Sequence, residues 1–409
     1  MDGWEINKLK EVCTKITDGS HNPPKGLESS NYIMLSSKNV LNDIIHYQKP
    51  RYLSKEDFLQ ENKRTQVSYD DVLLTIVGTI GRVAVVPKEH RNFTLQRSVA
   101  VLKTDKEKIY SRFLMFSLQN ILDYLTSESR GVAQKGIYLK QLRELEIPIP
   151  PIQEQKQIVA ILDQAFTAID QAKANIEKNI VNAKELFQSK LNAIFSQRGD
   201  GWEENSIDEI STVVNGYSFK SKDFSVDNKI KSIKITNVGI MEFVEDSSNN
   251  LPMSFLQEYS KVQVHEGDLV LALTRTIISD GLKVARVPES YHNSLLNQRV
   301  AAIVPNLSLV NSDYLYYYFS SDIVYNYVLS NVNTLMQPNL SIKDLKRMTI
   351  PITSLEGQRR ISIQIEGLSE KTNFLISNYE VKLNNIEELK KSILQKAFSG
   401  ELTQKEVVV

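Results

Sequence analysis

The chain has 409 residues, 49 Lys+Arg against 49 Asp+Glu, 41% apolar residues and a single cysteine, Cys13. That length exceeds one core and fits two domains plus connecting helices, while the composition excludes intrinsic disorder, intrachain disulfides and Cys-rich zinc sites. Zero net charge removes the global basicity of a simple nucleic-acid binder, so any DNA affinity has to come from local patches or be shared with a partner. The opening MDGWEINKLK has no apolar h-region, and no run of about 18 apolar residues occurs, so the expected location is the cytoplasm, without membrane association. Residues 1–150 hold 22 Lys+Arg against 18 Asp+Glu, and residues 201–350 hold 13 against 17, so the first half is mildly basic and the second mildly acidic.

In chain order, the dominant signal is self-similarity. Gly3-Trp4-Glu5 recurs as Gly201-Trp202-Glu203, Asp71-Val72-Leu73-Leu74 as Asp268-Leu269-Val270-Leu271, and Val83 through Pro87 as Val284 through Pro288. Gln96-Arg97 is matched to Gln298-Arg299, Gln134 through Leu142 to Gln337 through Leu345, Ile147-Pro148-Ile149 to Ile350-Pro351-Ile352, and Phe195-Ser196 to Phe398-Ser399. Within each copy, apolar β-prone runs (Val72 to Val77 and Arg82 to Val86) joined through Gly78-Thr79-Ile80-Gly81 predict a hairpin. The second copy has a longer connection from Arg275 to Gly281. Helical patterns come next, near Ile109 to Glu128 and Ser312 to Leu329, then near Leu139 to Leu145 and Ile342 to Met348. Pro148, Pro150, Pro151 and Pro351 are stiff hinges into a long helix in each copy.

Both long helices are heptad-patterned. Leu162, Ile169, Ile176 and Ala183, with Ala165, Ala172, Asn179 and Leu186, make one seam of a helix from Gln153 to Gln197. Ile361, Leu368, Leu375 and Leu389, with Ile365, Thr372, Tyr379, Ile386 and Ile393, make the second, interrupted by Lys382. The expected architecture is α+β: similar globules at 1–150 and 200–352, joined by long helices at 151–199 and 353–409 that pair antiparallel as a coiled coil. That pairing predicts pseudo-two-fold symmetry and a nearly circular chain path. Two globules on such a rod suit a bipartite target such as DNA half-sites about one helical turn apart, ~34 Å.

At these residues the chain resembles the specificity subunit of type I restriction-modification enzymes, over essentially its whole length. The features that carry the resemblance are the Trp4 and Trp202 openings, the loop Asp18-Gly19-Ser20-His21-Asn22-Pro23-Pro24-Lys25, Asn215 through Ser221, and Ile147-Pro148-Ile149-Pro150-Pro151-Ile152-Gln153-Glu154-Gln155 leading into Ile158. The resemblance implies that each globule is a target recognition domain reading one part of a split double-stranded DNA sequence. It implies further that the helices dock two methyltransferase subunits, that these bind S-adenosylmethionine and methylate adenine N6, and that restriction subunits join for cleavage. The chain itself would then hold no cofactor and no catalytic residue. One departure is Gly357, where the first copy has Glu154, so the second helix is expected to start later or bend.

Asn22-Pro23-Pro24 also resembles the Asn-Pro-Pro-aromatic loop of amino-methyltransferases, which would make the chain a stand-alone adenine methyltransferase. Lys25 replaces the stacking aromatic, and no Gly-rich cofactor loop is present. A coiled-coil scaffold unrelated to DNA is the other alternative, which leaves two elaborate globules unexplained. Ser20, His21 and Lys25 are candidates for base-edge or phosphate contacts, weighed against a plain surface turn. Arg97 and Arg299, each after a Gln, have the chemistry for adenine and guanine edges, but a pair shared by both copies points to the fold or to phosphate. The same holds for Gln134/Gln337 and Lys140/Lys343. Unshared residues are better base-reading candidates: Thr79 and Arg82 in the first hairpin, and Thr274, Arg275 and Ser279 in the second. Tyr217, Lys220 and Lys222 are phosphate or stacking candidates. Phe166 and Ile180, off the heptad seam, are candidates for partner binding on the helices' outer faces.

Overall fold

The computed structural model describes residues 3–41, 43–127, 136–246, 248–278, 281–331 and 339–403. Ser279, Gln134 and Gln337 lie outside the described residues. The chain forms two compact units, Met1–Ile176 with Val381–Val409, and Glu177–Glu380. The long helices are therefore shared between the units rather than forming bodies of their own.

In the first unit, strand Glu5–Lys8 pairs antiparallel with Glu146–Ile149, tying the start of the repeat to its end. A four-stranded antiparallel sheet has the order Cys13–Asp18, Val99–Thr104, Val72–Thr75, Val83–Val85. Its strands are apolar runs because both faces are covered. Val72, Leu74, Ala100 and Leu102 join a cluster with Phe113, Phe116, Leu162 and Phe166, while the alternate residues Leu73, Ala84, Val99 and Val101 pack on Ile33, Leu35, Phe93 and Leu95. Those last four belong to a second sheet, in which Tyr32–Leu35 lies between Arg51–Leu53 and a parallel Phe93–Leu95. Burial pushes the thiol of Cys13 up to about 12, the behaviour of a packing residue.

The second unit repeats this plan. Glu203–Ser206 pairs with Thr349–Ile352, and a four-stranded sheet runs Ser211–Asn215, Val300–Pro305, Leu269–Ala272, Val284–Arg286. The longer connection folds on itself, Ile277–Ile278 pairing with Gly281–Leu282. Each expected single helix breaks into two: Ser111–Asn120 and Leu122–Ser127 in the first unit, Ser312–Phe319 and Asp322–Asn331 in the second. In the second break, the Ser321 hydroxyl donates to the Tyr318 carbonyl, and the Asn192 side chain accepts from Asp322 N–H, capping the new helix.

The long helices span Ile152–Ser196 and Leu355–Phe398. Gly357 neither delays nor breaks the second: it is buried where a Cβ would stand 2.8 Å from Thr353 Cγ2, so a side chain here would require Thr353 to shift. In each unit the helix start is fixed by a fully buried glutamine. Gln155 accepts from Tyr110 N–H and donates to the carbonyls of Lys108 and Pro150; Gln358 accepts from Asn311 N–H and donates to those of Leu309 and Thr353. This is the physical content of the repeated Ile-Pro-Ile segment and the glutamine after it. Within the first unit the two helices run antiparallel, with Lys173 Nζ 2.6 Å from Glu387 Oε1 and Lys390 Nζ 3.9 Å from Asp170 Oδ1.

The buried stripe departs from the heptad reading. Leu162, Ile169 and Ala183 are buried, but Asn179 and Leu186 are exposed and their neighbours Ile180 and Phe187 are half-buried instead. On the second helix Leu375, Lys382 and Leu389 are exposed, while Ile376, Leu383 and Lys390 carry the stripe. A helix keeping about 3.6 residues per turn drifts off a strict seven-residue repeat, and the interruption at Lys382 disappears with the shift.

Candidate nucleic-acid interface

Each unit holds its surface loops on one glycine contact. After strand Cys13–Asp18, Gly19 N–H donates to Val99 O, Ser20 N–H to Leu95 O at 2.8 Å, and Arg97 N–H returns to Ser20 O at 2.8 Å. In the second unit Gly216 N–H donates to Val300 O, Tyr217 N–H to Leu296 O, and Gln298 N–H to Tyr217 O. The backbones touch so closely that a Cβ on Gly19 would stand 2.1 Å from Leu95 O, and one on Gly216 2.1 Å from Asn297 O. Only glycine fits at such an approach.

These bonds correct the repeat alignment. Gln96 and Asn297 occupy the same place, as do Arg97 and Gln298, and Ser98 and Arg299. The two Gln-Arg pairs lie one residue out of register, so Arg97 and Arg299 are not counterparts and the argument that they are shared falls. Conversely, strand register equates Arg82 with Lys283, a cation in both units.

In the first unit the side chain of Asp18 is almost fully buried; it pairs with the Arg64 guanidinium and accepts from His21 Nε2 at 2.9 Å. His21 is therefore positioned but still half-exposed. Ser20 is buried, which corrects its assignment as a surface contact: its backbone makes the loop clamp and its side chain is not presented to solvent. Lys25, Thr79 and Arg97 are exposed and Arg82 is half-buried. Arg51 Nη1 donates to Pro24 O at 2.7 Å, fixing the proline loop. Arg51, Lys38, Ser36 and Gln96 line a cleft of about 300 Å³ together with Gly26 and Tyr52. Lys38 and Arg51 were missed from sequence because neither sits in a recurring motif.

In the second unit Tyr217 is exposed at its edge yet packs against Tyr259 and Phe219, with ring centroids 4.6 and 5.2 Å away. Lys220 and Lys222 flank this cluster at the surface, the backbone of Lys220 held by Asp223 Oδ2. Thr274, Arg275 and Arg299 come together with Ile235 around a cleft of about 380 Å³.

The two partner-binding candidates are not outer-face residues. Phe166 is buried, edge-on to Phe116 at 5.5 Å, with Lys390 Nζ 4.8 Å over its ring. Ile180 is half-buried on the drifted stripe. The heptad frame had assigned both to the wrong side of the helix.

Residues 1–181 and 199–388 each match the family model described as the type I restriction modification DNA specificity domain. The chain belongs to this family. Similar curated relatives include the type I restriction enzyme MjaVIII specificity subunit of Methanocaldococcus jannaschii, 25% identical over 99% of this chain and 94% of the relative. The EcoKI specificity subunit of Escherichia coli K12 is 24% identical over 98% and 90%. Among solved structures, the HsdS subunit from Thermoanaerobacter tengcongensis shares the fold at TM-score 0.58 and 18% identity, covering 98% of this chain and 97% of that one. A chain from a study of complex assembly and conformational transition of the type I R-M system reaches TM-score 0.74 at 18% identity, covering 98% and 99%. The family is described by DNA specificity, and these relatives are named specificity subunits. Among the described residues no helix is long and apolar enough to cross a membrane.

Proposed function

We propose that this specificity-family chain recognises a split double-stranded DNA sequence, each unit reading one part, and that it docks two methyltransferase subunits in the cytoplasm. Those subunits would bind S-adenosylmethionine and methylate adenine N6, and restriction subunits would join for cleavage. The observation that carries this reading is the duplicated scaffold with unlike surfaces: the glycine clamp, buried glutamine and strand registers recur, while the exposed side chains at matching places differ. Identical supports with different surface chemistry fit two readers of different sequence. With Phe166 buried and Ile180 half-buried, docking falls to apolar residues that the long helices expose more fully, such as Leu186 and Leu389.

The test is enrichment from a pool of random duplexes by the full chain purified with its methyltransferase subunits. The expected product is a motif of two specified parts separated by unspecified base pairs. Enrichment of one continuous motif, or of none, would contradict the reading.

A further inference from the structure

Strand register isolates one place where the two units carry opposite chemistry. Ile76 N–H bonds Ser98 O in the first unit as Leu273 N–H bonds Arg299 O in the second, and the bridge Val77 to Gly136 corresponds to Thr274 to Asn339. Gly78 therefore matches Arg275, Ser98 matches Arg299, and Ser37 matches Ile235. In the first unit Gly78 and Ser98 bring no charge to this place, where Arg82 is the one matching cation, and the buried Ser98 hydroxyl is occupied by Ser37 N–H at 3.1 Å. In the second it is a cleft of about 380 Å³ with two guanidinium groups at its wall.

Three features of that cleft point to a bound acceptor. Arg275 has φ 48°, a left-handed conformation that Gly78 adopts freely at φ 82° and that a residue with a Cβ disfavours. The chain thus holds an arginine where its own duplicate uses glycine. Neither guanidinium is paired with a carboxylate among the described residues, and Lys283, its ammonium 2.6 Å from Ile235 O, adds a third cation. Burial, and next the charge of Arg275, hold the Lys283 ammonium below its usual range, as expected where positive charge is uncompensated. The Thr274 hydroxyl is buried without a partner among the described residues.

Phosphate would suit these cations, but a phosphate contact carries no sequence information and should recur in both units. The two arginines do not recur, whereas Lys283 does, standing where the first unit has Arg82. Guanine offers O6 and N7 together on its major-groove edge, the pair of acceptors that an arginine fork takes bidentately. We propose that Arg275 and Arg299 read guanine in the part of the DNA recognised by the second unit, and that the first unit makes no such contact from the matching place. This rests on the reading of the chain as a DNA-recognition subunit.

The test repeats the duplex enrichment with the double variant R275G/R299S, which installs the residues the first unit already folds with at this place. The expected result is loss of roughly 10- to 100-fold preference for guanine at one or two positions in one part of the motif, the other part unchanged and serving as the folding control. R299K, which keeps the charge without the fork, should lose much of the same preference. A uniformly weaker affinity with an unchanged motif and a shallower salt dependence would mean phosphate contact and would overturn the proposal. So would unchanged motif and affinity, or full guanine preference in R299K. If the wild-type chain enriches no motif, the DNA-recognition reading itself fails, and this inference with it.

Discussion

Replacing Gly19 with alanine should open the first unit's recognition loop from its base. The added Cβ would lie 2.1 Å from Leu95 O, 2.2 Å from Leu95 C and 2.6 Å from Gln96 C, all backbone atoms. Contacts under 3.0 Å require something to shift, so loop and strand must part by about 0.9 Å. No rotamer change can supply that movement, because no side chain is involved. Parting stretches the bonds from Ser20 N–H to Leu95 O and from Arg97 N–H to Ser20 O beyond useful length. Two lost backbone bonds at about 1 kcal/mol each, plus residual overlap, give a cost of roughly 3 kcal/mol, in the range reserved for specific backbone and packing faults. Amide hydrogen exchange of Gly19→Ala measures it site by site: the Ser20 and Arg97 amides should lose roughly 100-fold protection, while Tyr217 and Gln298, which make the matching clamp in the second unit, keep theirs. Wild-type protection at Ser20 and Arg97 would refute the close-approach argument.

Gln155→Leu should destabilise the first unit by about 3 kcal/mol or more, since it strands one N–H and two carbonyls at a buried helix start; urea unfolding monitored against wild type checks it. Phe166→Ala should cost about 3–4 kcal/mol by leaving a cavity beside Phe116, measurable in the same unfolding experiment. The pair Leu186→Asp and Leu389→Asp should instead leave stability within about 0.5 kcal/mol and abolish co-purification with the methyltransferase subunits. A heptad inserted after Ile176 and another after Tyr379 should lengthen the unspecified gap of the enriched motif by roughly three base pairs, from about 10 Å of added helix, with both specified parts unchanged.

Much of the scaffold was legible because the repeat constrains it twice. The Trp4 and Trp202 openings lead directly into paired strands, and the β-prone runs and Ile-Pro-Ile segments fall on paired strands, since each marks a backbone requirement that sequence letters show directly. The errors have equally specific causes. Two identical Gln-Arg pairs drew the alignment one residue out of register, and the backbone hydrogen bonds around Gly19 and Gly216 separate spelling from position. The heptad count fixed a 3.5-residue period that a helix does not keep, which put Phe166 and Ile180 outside and Leu186 inside. At the candidate interface, Lys25, Thr79, Arg97, Lys220, Lys222, Arg275 and Arg299 are exposed as the sequence reading expects of polar residues in loops, while the Thr274 hydroxyl is buried. Ser20 could not be separated from them, because its burial depends on a strand distant in sequence, Phe93–Leu95. Lys38 and Arg51 became visible only when folding closed a cleft around them.

The central claim, that each unit reads its own part of a split sequence, is tested most directly by exchanging residues 200–352 for the matching segment of a relative with a different target. Methylation sites are then mapped across the genome of cells carrying the hybrid with the methyltransferase subunits. The account predicts a new motif in which one part is replaced by the relative's and the other is kept. A motif changed in both parts, or in neither, would contradict it.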